Sequence, residues 1–208
     1  MTAADVADVL GRLDRAGLWY CVEGGWGVDA LLGDQTREHR DLDIGVRLGD
    51  VESMCTALSE FERDDAEWPS SIVLEDAAGR RVDAHPLTFD EAGDGWQANL
   101  NGDPYRWPRE HLGARGRIGG REVRCITPEL QVRWHRHDDF DDVDWADMNA
   151  LVRRFGLPDV DPPPGFISPR RSVERALQLS ARGLSRERLP PPLPWFSGPG
   201  DDPRRAQP

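Results

Sequence analysis

Residues 24–44 read GGWGVDALLGDQTREHRDLDI and hold the most informative pattern of the chain. A glycine pair opens the stretch, and the apolar residues that follow predict a short helix that ends at Gly33. The alternation of polar and apolar residues from Asp41 onwards then predicts a β-strand. Because residues two apart on a strand point to the same side, Asp41 and Asp43 should present two carboxylates about 6–7 Å apart.

Paired carboxylates at this spacing predict a metal site. Two such groups repel each other unless a cation lies between them. Oxygen ligands suit Mg²⁺, which shares its coordination with waters and with substrate phosphates. Asp83 lies on a second predicted strand, residues 81–85. If the two strands are neighbours, Asp83 completes a cluster of three acids that can hold two metal ions.

The glycine pair predicts a phosphate-binding turn. Gly24 and Gly25 have no side chains, so the backbone N–H groups at the start of the following helix stay open to a triphosphate. Arg37 and His39 add positive charge close to this turn. A glycine pair or an Asp-x-Asp motif alone is a weak signal, but the two in this order, followed by a strand aspartate, are much more specific.

Composition excludes several classes of protein. The chain has 208 residues and a formal net charge of −12, and all 26 of its basic residues are arginine. Without lysine it cannot be a P-loop ATPase, a Schiff-base enzyme or a kinase that uses a strand lysine. The acidic balance argues against nucleic acid and membrane phosphate as partners. Three widely spaced cysteines, with neither a signal peptide nor a membrane span in the sequence, predict a cytoplasmic protein.

The rest of the pattern predicts further helices and strands. Helices are expected near residues 6–13, 51–61, 127–134 and 143–155, and strands near 18–22, 71–75 and 122–126. The segment 86–119 has no clear period, so we expect it to be irregular apart from a short helix near Arg109. Twelve of the 17 prolines lie beyond residue 157, which predicts an extended or disordered tail.

The motifs together resemble the aminoglycoside 2″-adenylyltransferase and lincosamide nucleotidyltransferase family, within the polymerase-β-like nucleotidyltransferase superfamily. The resemblance covers about residues 2–155 and rests on three stretches and one pair of aspartates: 24–43, 82–87, 119–131, and Asp144 with Asp147. It implies an α+β fold with a polymerase-β-like core, formed by a small mixed sheet with helices on one side, and a mostly helical C-terminal part.

The resemblance also implies roles for seven residues. Metal binding and catalysis would belong to the three acids Asp41, Asp43 and Asp83, of which the last would also deprotonate the acceptor hydroxyl. Nucleotide binding would belong to Gly24, Gly25, Arg37 and His39.

A run of acidic residues follows His135. We expect Asp138, Asp139 and Asp144 to form a negative wall that binds an amine-bearing acceptor. Two other interpretations stay open, a solvated acidic helix junction and a transition-metal site that uses His135 and His137.

The expected function is therefore Mg²⁺-dependent transfer of AMP from ATP, with two metal ions, to a hydroxyl of a small cationic molecule such as an aminoglycoside or lincosamide antibiotic. The alternatives are a toxin-like nucleotidyltransferase that modifies a protein or tRNA, and a non-catalytic nucleotide-binding relic. A relic does not need a full set of three acids, whereas all three are present in this sequence.

Three regions are expected along the chain. Residues 1–126 would form the catalytic domain, and residues 127–157 a helical part that faces the acceptor. Residues 158–208 would form a tail rich in proline and arginine, with one possible helix at 172–184 and otherwise extended or disordered.

Overall fold

The computed structural model describes residues 1–136, 140–162 and 166. The possible helix at 172–184 and most of the proline-rich tail lie outside these residues. The α-helices are α1 (Ala3–Arg15), α2 (Gly24–Leu32), α3 (Val51–Ala57), α4 (Pro128–Trp134) and α5 (Asp142–Phe155). The strands are β1 (Tyr20–Val22), β2 (Asp41–Arg47), β3 (Glu62–Asp64), β4 (Ile72–Glu75), β5 (Arg81–Phe89), β6 (Gly95–Gln97), β7 (Tyr105–Trp107), β8 (Ala114–Ile118) and β9 (Arg121–Cys125).

The strands form one mixed sheet, as the family resemblance implies. Their order is β3-β4-β5-β2-β1-β9-β8, and β6 extends the sheet by pairing with β5 and β7. The pairs β2–β5 and β1–β9 are parallel, whereas the other pairs are antiparallel. This order puts β2 next to β5, which brings together the two strands that carry the predicted acids.

The main core covers one face of the sheet. Leu42 and Ile44 of β2 point to this face and are fully buried. Helix α1 presents four fully buried side chains to the same core, at the helical spacing seen in the sequence: Val6, Val9, Leu10 and Leu13. Thr2 and Asp5 form a capping box that fixes where α1 begins.

The opposite face of β2 and β5 carries the acids at one end and a smaller apolar cluster next to them. Gly45 follows Asp43 on this face, and a Cβ at Gly45 would lie 2.7 Å from the ring of Trp107. The glycine therefore leaves the space that Trp107 occupies. Trp107 is fully buried in this cluster, together with Cys21, Leu87, Ile126 and Leu130 among others.

Two expectations about secondary structure are wrong. Residues 86–119 contain the end of β5 and strands β6, β7 and β8, so the segment is not a long irregular one. Strands β6 and β7 have three residues each, which is too short for an alternating pattern to be recognised. Helix α3 ends at Ala57 instead of near Phe61. A 3₁₀ turn at Arg109–His111 lies where a short helix was predicted.

The described part of the chain contains neither a helix that could span a membrane nor a disulfide. Among the described residues, every helix is too short or too polar to cross a bilayer. Cys21, Cys55 and Cys125 are free thiols, and the first and last of these are buried.

Candidate active site

The parallel pairing of β2 with β5 brings two of the three predicted acids together. Asp43 lies directly opposite Asp83 in this register, and Asp41 lies opposite Arg81. Ligand atoms of Asp43, Asp83 and His85 all lie within 4.8 Å of one another. Asp41 is outside this group of three, but its charge acts on Asp43. The cluster thus contains two of the three acids expected from the strand pattern, together with a histidine.

The negative charges in this cluster are not balanced by positive groups. The pKa of Asp43 is raised from 3.8 to about 7, mainly by burial and then by the charges of Asp41 and Asp83. Oδ1 of Asp83 is buried and has no hydrogen-bond partner among the described residues. A divalent cation would favour the ionised form of Asp43 and would give this oxygen a partner. The donor set therefore fits a metal ion.

Glu23 is a fourth acid of the site, and the sequence pattern alone did not reveal it. It is the last residue before the glycine pair, and the pKa of its carboxyl is raised well above 4.5 by burial and by the charges of Asp43 and Asp83. Its Oε1 lies 3.5 Å from Nε2 of His85. Its position could have indicated its role, because Glu23 lies between a buried strand and the glycine pair at which helix α2 begins.

Hydrogen bonds fix the orientation of His85. The side-chain nitrogen of Gln97 lies 2.9 Å from Nδ1 of His85 and 3.0 Å from the carbonyl oxygen of Ser70. The indole N–H of Trp107 donates a hydrogen bond to Oε1 of Gln97, at 3.1 Å. Gln97 therefore donates to Nδ1, which leaves Nε2 to carry the proton toward Glu23. Burial lowers the pKa of His85, against the opposing charge of Asp83, so burial favours this neutral form.

Gly24 and Gly25 lie where a side chain would fill the site. Gly24 has φ +58°, and a Cβ there would lie 2.3 Å from Oδ2 of Asp43. A Cβ at Gly25 would lie 2.5 Å from both Nη2 of Arg37 and Nδ1 of His39. Helix α2 begins at this pair, and the side chain of Glu23 does not cap it. The first N–H groups of α2 are therefore open beside the acids.

The two predicted basic residues differ in their surroundings. The guanidinium of Arg37 donates to Oδ2 of Asp147 at 3.0 Å, and about a third of its side chain is exposed. His39 is buried behind Gly25, with Nε2 2.5 Å from Oδ2 of Asp29. The ring of Trp26 packs 4.5 Å from that of His39 between centroids. Arg37 can thus contact a ligand directly, whereas His39 packs beneath the glycine turn. Nucleotide binding by either residue stays a prediction.

Helix α5 contributes Asp147 to the edge of the site. Burial alone would raise the pKa of Asp147, but hydrogen bonds from His135 and Arg37 lower this pKa overall. Burial also opposes the charged form of His135, but the contacts with Asp147 and with the Gln131 carbonyl oxygen raise its pKa overall. Nδ1 of His135 lies 2.9 Å from that carbonyl oxygen, so this nitrogen is engaged within α4.

The expected acceptor wall lies only partly in the described chain. His137, Asp138 and Asp139 are outside the described residues. Asp144 lies in the first turn of α5, where its carboxylate accepts a hydrogen bond from the backbone of Asp141 and completes a capping box. Acceptor binding by these acids therefore stays a prediction.

Comparison with known families identifies the protein class. The sequence profile of the family described as aminoglycoside-2''-adenylyltransferase matches residues 5–151. The chain belongs to this family. The matched part begins in α1 and ends in α5, so it includes Glu23, the paired acids and Asp147.

Individual members of the adenylyltransferase family agree with this assignment. A lincosamide resistance protein of Staphylococcus haemolyticus is 28% identical over 153 residues, which are 73% of this chain and 94% of the relative. A 2''-aminoglycoside nucleotidyltransferase of Klebsiella pneumoniae is 29% identical over 146 residues, or 67% of this chain and 77% of the relative. The crystal structure of the lincosamide antibiotic adenylyltransferase LnuA with lincomycin has a TM-score of 0.65 and 27% identity, and the match covers 73% of this chain and 96% of that one.

These similarities confirm three predictions from the sequence. The chain is a member of the expected family, its fold is that of the polymerase-β-like nucleotidyltransferases, and its activity is nucleotidyl transfer to a small molecule.

Proposed function

We propose that this adenylyltransferase family member transfers AMP from ATP, with Mg²⁺, to a hydroxyl of a small molecule that carries amines. The observation that supports this most directly is the pairing of Asp43 with Asp83 across β2 and β5, beside the open start of α2. Nucleotidyl transfer requires the phosphates and the attacking hydroxyl to be held in line while negative charge is neutralised. Mg²⁺ held by the acids would neutralise this charge, and the backbone N–H groups next to them would hold the phosphates.

Asp41, Asp43 and Asp83 would hold the metal. The partnerless oxygen of Asp83 and the raised pKa of Asp43 support this assignment. When bound, two Mg²⁺ ions would neutralise the charge that develops on the phosphates. Glu23 lies beside these ligands, and we assign to it the positioning of His85.

The other residues of the site would orient the two substrates. The N–H groups at Gly24 and Gly25 would receive the triphosphate, and Arg37 would add a positive charge from the exposed edge. The carboxylate of Asp83 would accept the proton of the acceptor hydroxyl. The hydroxyl oxygen then bonds to the α-phosphorus as the bond to pyrophosphate breaks, so AMP is transferred and pyrophosphate leaves.

We infer that the acceptor is an antibiotic. The relatives named above are described as acting on lincosamides or on 2''-aminoglycosides. The start of α5 supports an acceptor with positive charge, because Asp141, Asp142 and Asp144 lie in or next to its first turn. Ammonium groups would be attracted to this end of the helix.

The test is pyrophosphate release and mass spectrometry with Mg·ATP and a panel of aminoglycosides and lincosamides. We expect one acceptor class to gain the mass of an AMP group. Asp43→Asn should reduce the rate by about a thousandfold or more, since each 1.4 kcal/mol of lost stabilisation corresponds to a factor of ten. Asp103→Asn changes an exposed aspartate outside the site and should retain full activity.

Nucleotide binding and acceptor turnover can be measured separately. Thermal stabilisation by Mg·ATP without turnover of any antibiotic would refute the acceptor class but leave nucleotide binding in place. Labelling of a protein, or of tRNA that also shifts in a gel, would favour the toxin-like alternative. If Mg·ATP neither binds nor reacts, the proposed adenylyl transfer is wrong.

A further inference from the structure

A cavity of about 520 Å³ lies away from the acids, and we name it the arginine pocket. Its lining includes three arginines, two aromatic rings and a buried leucine, but none of the residues that line it is acidic: Arg47, Arg109, Arg124, Trp19, Phe89 and Leu112. The volume lies within the range of small-molecule sites, roughly 300–1,000 Å³. It is thus a positively charged cavity in a part of the chain whose net charge is strongly negative.

The strand pattern defines where the arginine pocket lies. Arg47 is four residues beyond Asp43 on β2, so the two Cα atoms are about 13 Å apart. Both project from the same face of the sheet, since the residues between them alternate. Trp107 packs on Gly45 between the two positions. The pocket is therefore separate from the acidic site, although one strand contributes to both.

Among the residues that the structure describes, the three arginines have no acidic partner. Arg12, Arg63 and Arg80 each form ion pairs with carboxylates elsewhere. Within the described part of the chain, no carboxylate pairs with Arg47, Arg109 or Arg124.

The aromatic rings hold two of the guanidinium groups in place. The guanidinium carbon of Arg47 lies 5.8 Å from the ring centroid of Trp19, and that of Arg124 lies 5.6 Å from it. Trp19 and Phe89 also contact each other edge to face, with centroids 5.2 Å apart. Arg109 donates to the carbonyl oxygen of Ala92 at 3.0 Å. The charges are thus positioned around the cavity before any ligand arrives, which lowers the entropy cost of binding.

We propose that the arginine pocket binds a small phosphate monoester with a flat organic group. Planar guanidinium groups match phosphate oxygens in pairs, and several of them together favour a dianion over a single carboxylate. Arg47 already packs over the ring of Phe89, with its guanidinium carbon 6.0 Å from the ring centroid. The flat group would lie against the part of Phe89 that stays exposed, which is 37% of the residue. This site is additional to the donor and acceptor sites of the transfer reaction.

The test is calorimetric titration of the full chain with phenyl phosphate in EDTA, without nucleotide. Inorganic phosphate tests the anion alone, and phenol tests the ring alone. The variant Arg47→Gln with Arg124→Gln removes two charges from the pocket. Arg117→Gln with Arg153→Gln removes two charges from exposed positions on β8 and α5 and is the matched control.

We expect phenyl phosphate to bind most tightly and the pocket variant to weaken its binding at least about tenfold, while the control changes it less than about twofold. The proposal is overturned if phenyl phosphate does not bind at about 10 mM, or if both variants weaken it equally.

A measurement on the unaltered protein guards against misfolding of the variant. On addition of phenyl phosphate, the indole N–H signal of Trp19 should shift, together with the backbone N–H signals of Trp19, Gly93 and Gly113. Shifts confined to Asp43, Asp83 and the start of α2 would place the ligand in the acidic site and refute the arginine pocket.

Discussion

Gly24 shows how one residue can determine the geometry of the acidic site. It has a positive φ and lies directly against the carboxylate of Asp43. Any side chain there would be strained and would also push the carboxylate of Asp43 away from its position beside Asp83. These two effects can be separated, because Gly17 has a similar φ of +69°, but a Cβ at Gly17 would meet no atom within 4 Å.

We predict that Gly24→Ala and Gly17→Ala both lose about 1 kcal/mol of stability, since alanine resists a positive φ. Only Gly24→Ala should also lose activity, by about a hundredfold or more, because its Cβ displaces Asp43. Denaturant unfolding and initial rates of pyrophosphate release measure the two effects. Equal activity in the two variants would contradict the steric role assigned to Gly24.

The pKa of Asp43 predicts how stability depends on pH without metal. Because this pKa is about 7 in the folded chain and lower when unfolded, the folded state holds a proton that the unfolded state releases. The free energy of unfolding should therefore fall as the pH rises from about 4 to 7, with Glu23 acting in the same direction. Mg²⁺ should stabilise the protein more at pH 8 than at pH 5, since protons compete with it.

Denaturant unfolding in EDTA, between about pH 5 and pH 8, tests this dependence. Asp43→Asn cannot ionise at this position, so its stability should vary less with pH than that of the unaltered chain. Asp103→Asn serves as the control for a lost surface charge. Parallel curves for the unaltered chain and Asp43→Asn would show that Asp43 does not titrate in this range.

At the residue level, the sequence was enough to predict the two acids that meet but not their full surroundings. Asp43 and Asp83 each lie on an alternating strand, and strand alternation determines which face a side chain occupies. Glu23 and His85 were missed because their importance depends on burial and on the pairing of β2 with β5, which local patterns do not encode.

At the level of elements, Gly45 and Trp107 connect the sheet to the active site. Trp107 fills the space above Gly45 and also donates to Gln97, which orients His85. The packing of a tryptophan on a strand glycine thereby influences a hydrogen bond within the acidic cluster.

We predict that Gly45→Ala destabilises the chain by about 1–3 kcal/mol, because its Cβ would overlap the ring of Trp107 in a packed core. The melting temperature should fall by several degrees in a differential scanning measurement. Gly49→Ala is the control, since a Cβ there meets nothing within 4 Å. A loss of stability as large in the control would mean that the contact with Trp107 is not the cause.

The sequence predicted the long elements better than the short ones. The spacing of Val6, Val9 and Leu13 locates α1, because a helix of that length repeats its buried face several times. Strand β6 pairs with β5, and β7 pairs with β6. This pairing makes three residues enough to form each strand, whereas three residues are too few for a recognisable sequence pattern. The proposed boundaries at residues 126 and 157 stay predictions.

For the whole molecule, the net charge acts on an approaching acceptor over a longer distance than any direct contact does. Residues 1–157 carry 18 arginines and 32 acids, so their formal charge is 18 − 32 = −14. A field of this sign attracts cations over about a Debye length, roughly 8–10 Å at physiological salt.

We predict that kcat/KM for a polycationic acceptor falls several-fold when the salt concentration rises from about 0.05 to 0.5 M. An acceptor with a single amine should respond less. Initial rates at saturating Mg·ATP and limiting acceptor measure both, which keeps the salt response of the anionic nucleotide out of the comparison. If the two acceptors respond equally, the overall field does not guide their approach.

The register between β2 and β5 also limits how relatives of this chain can diverge. The 33 residues between Arg47 and Arg81 form turns, α3 and the outer strands, where insertions and deletions leave the ladder intact. One residue inserted within either strand would instead turn its acid toward the apolar layer. We therefore expect length variation to collect in the connecting segment, while the two strands keep the same number of residues.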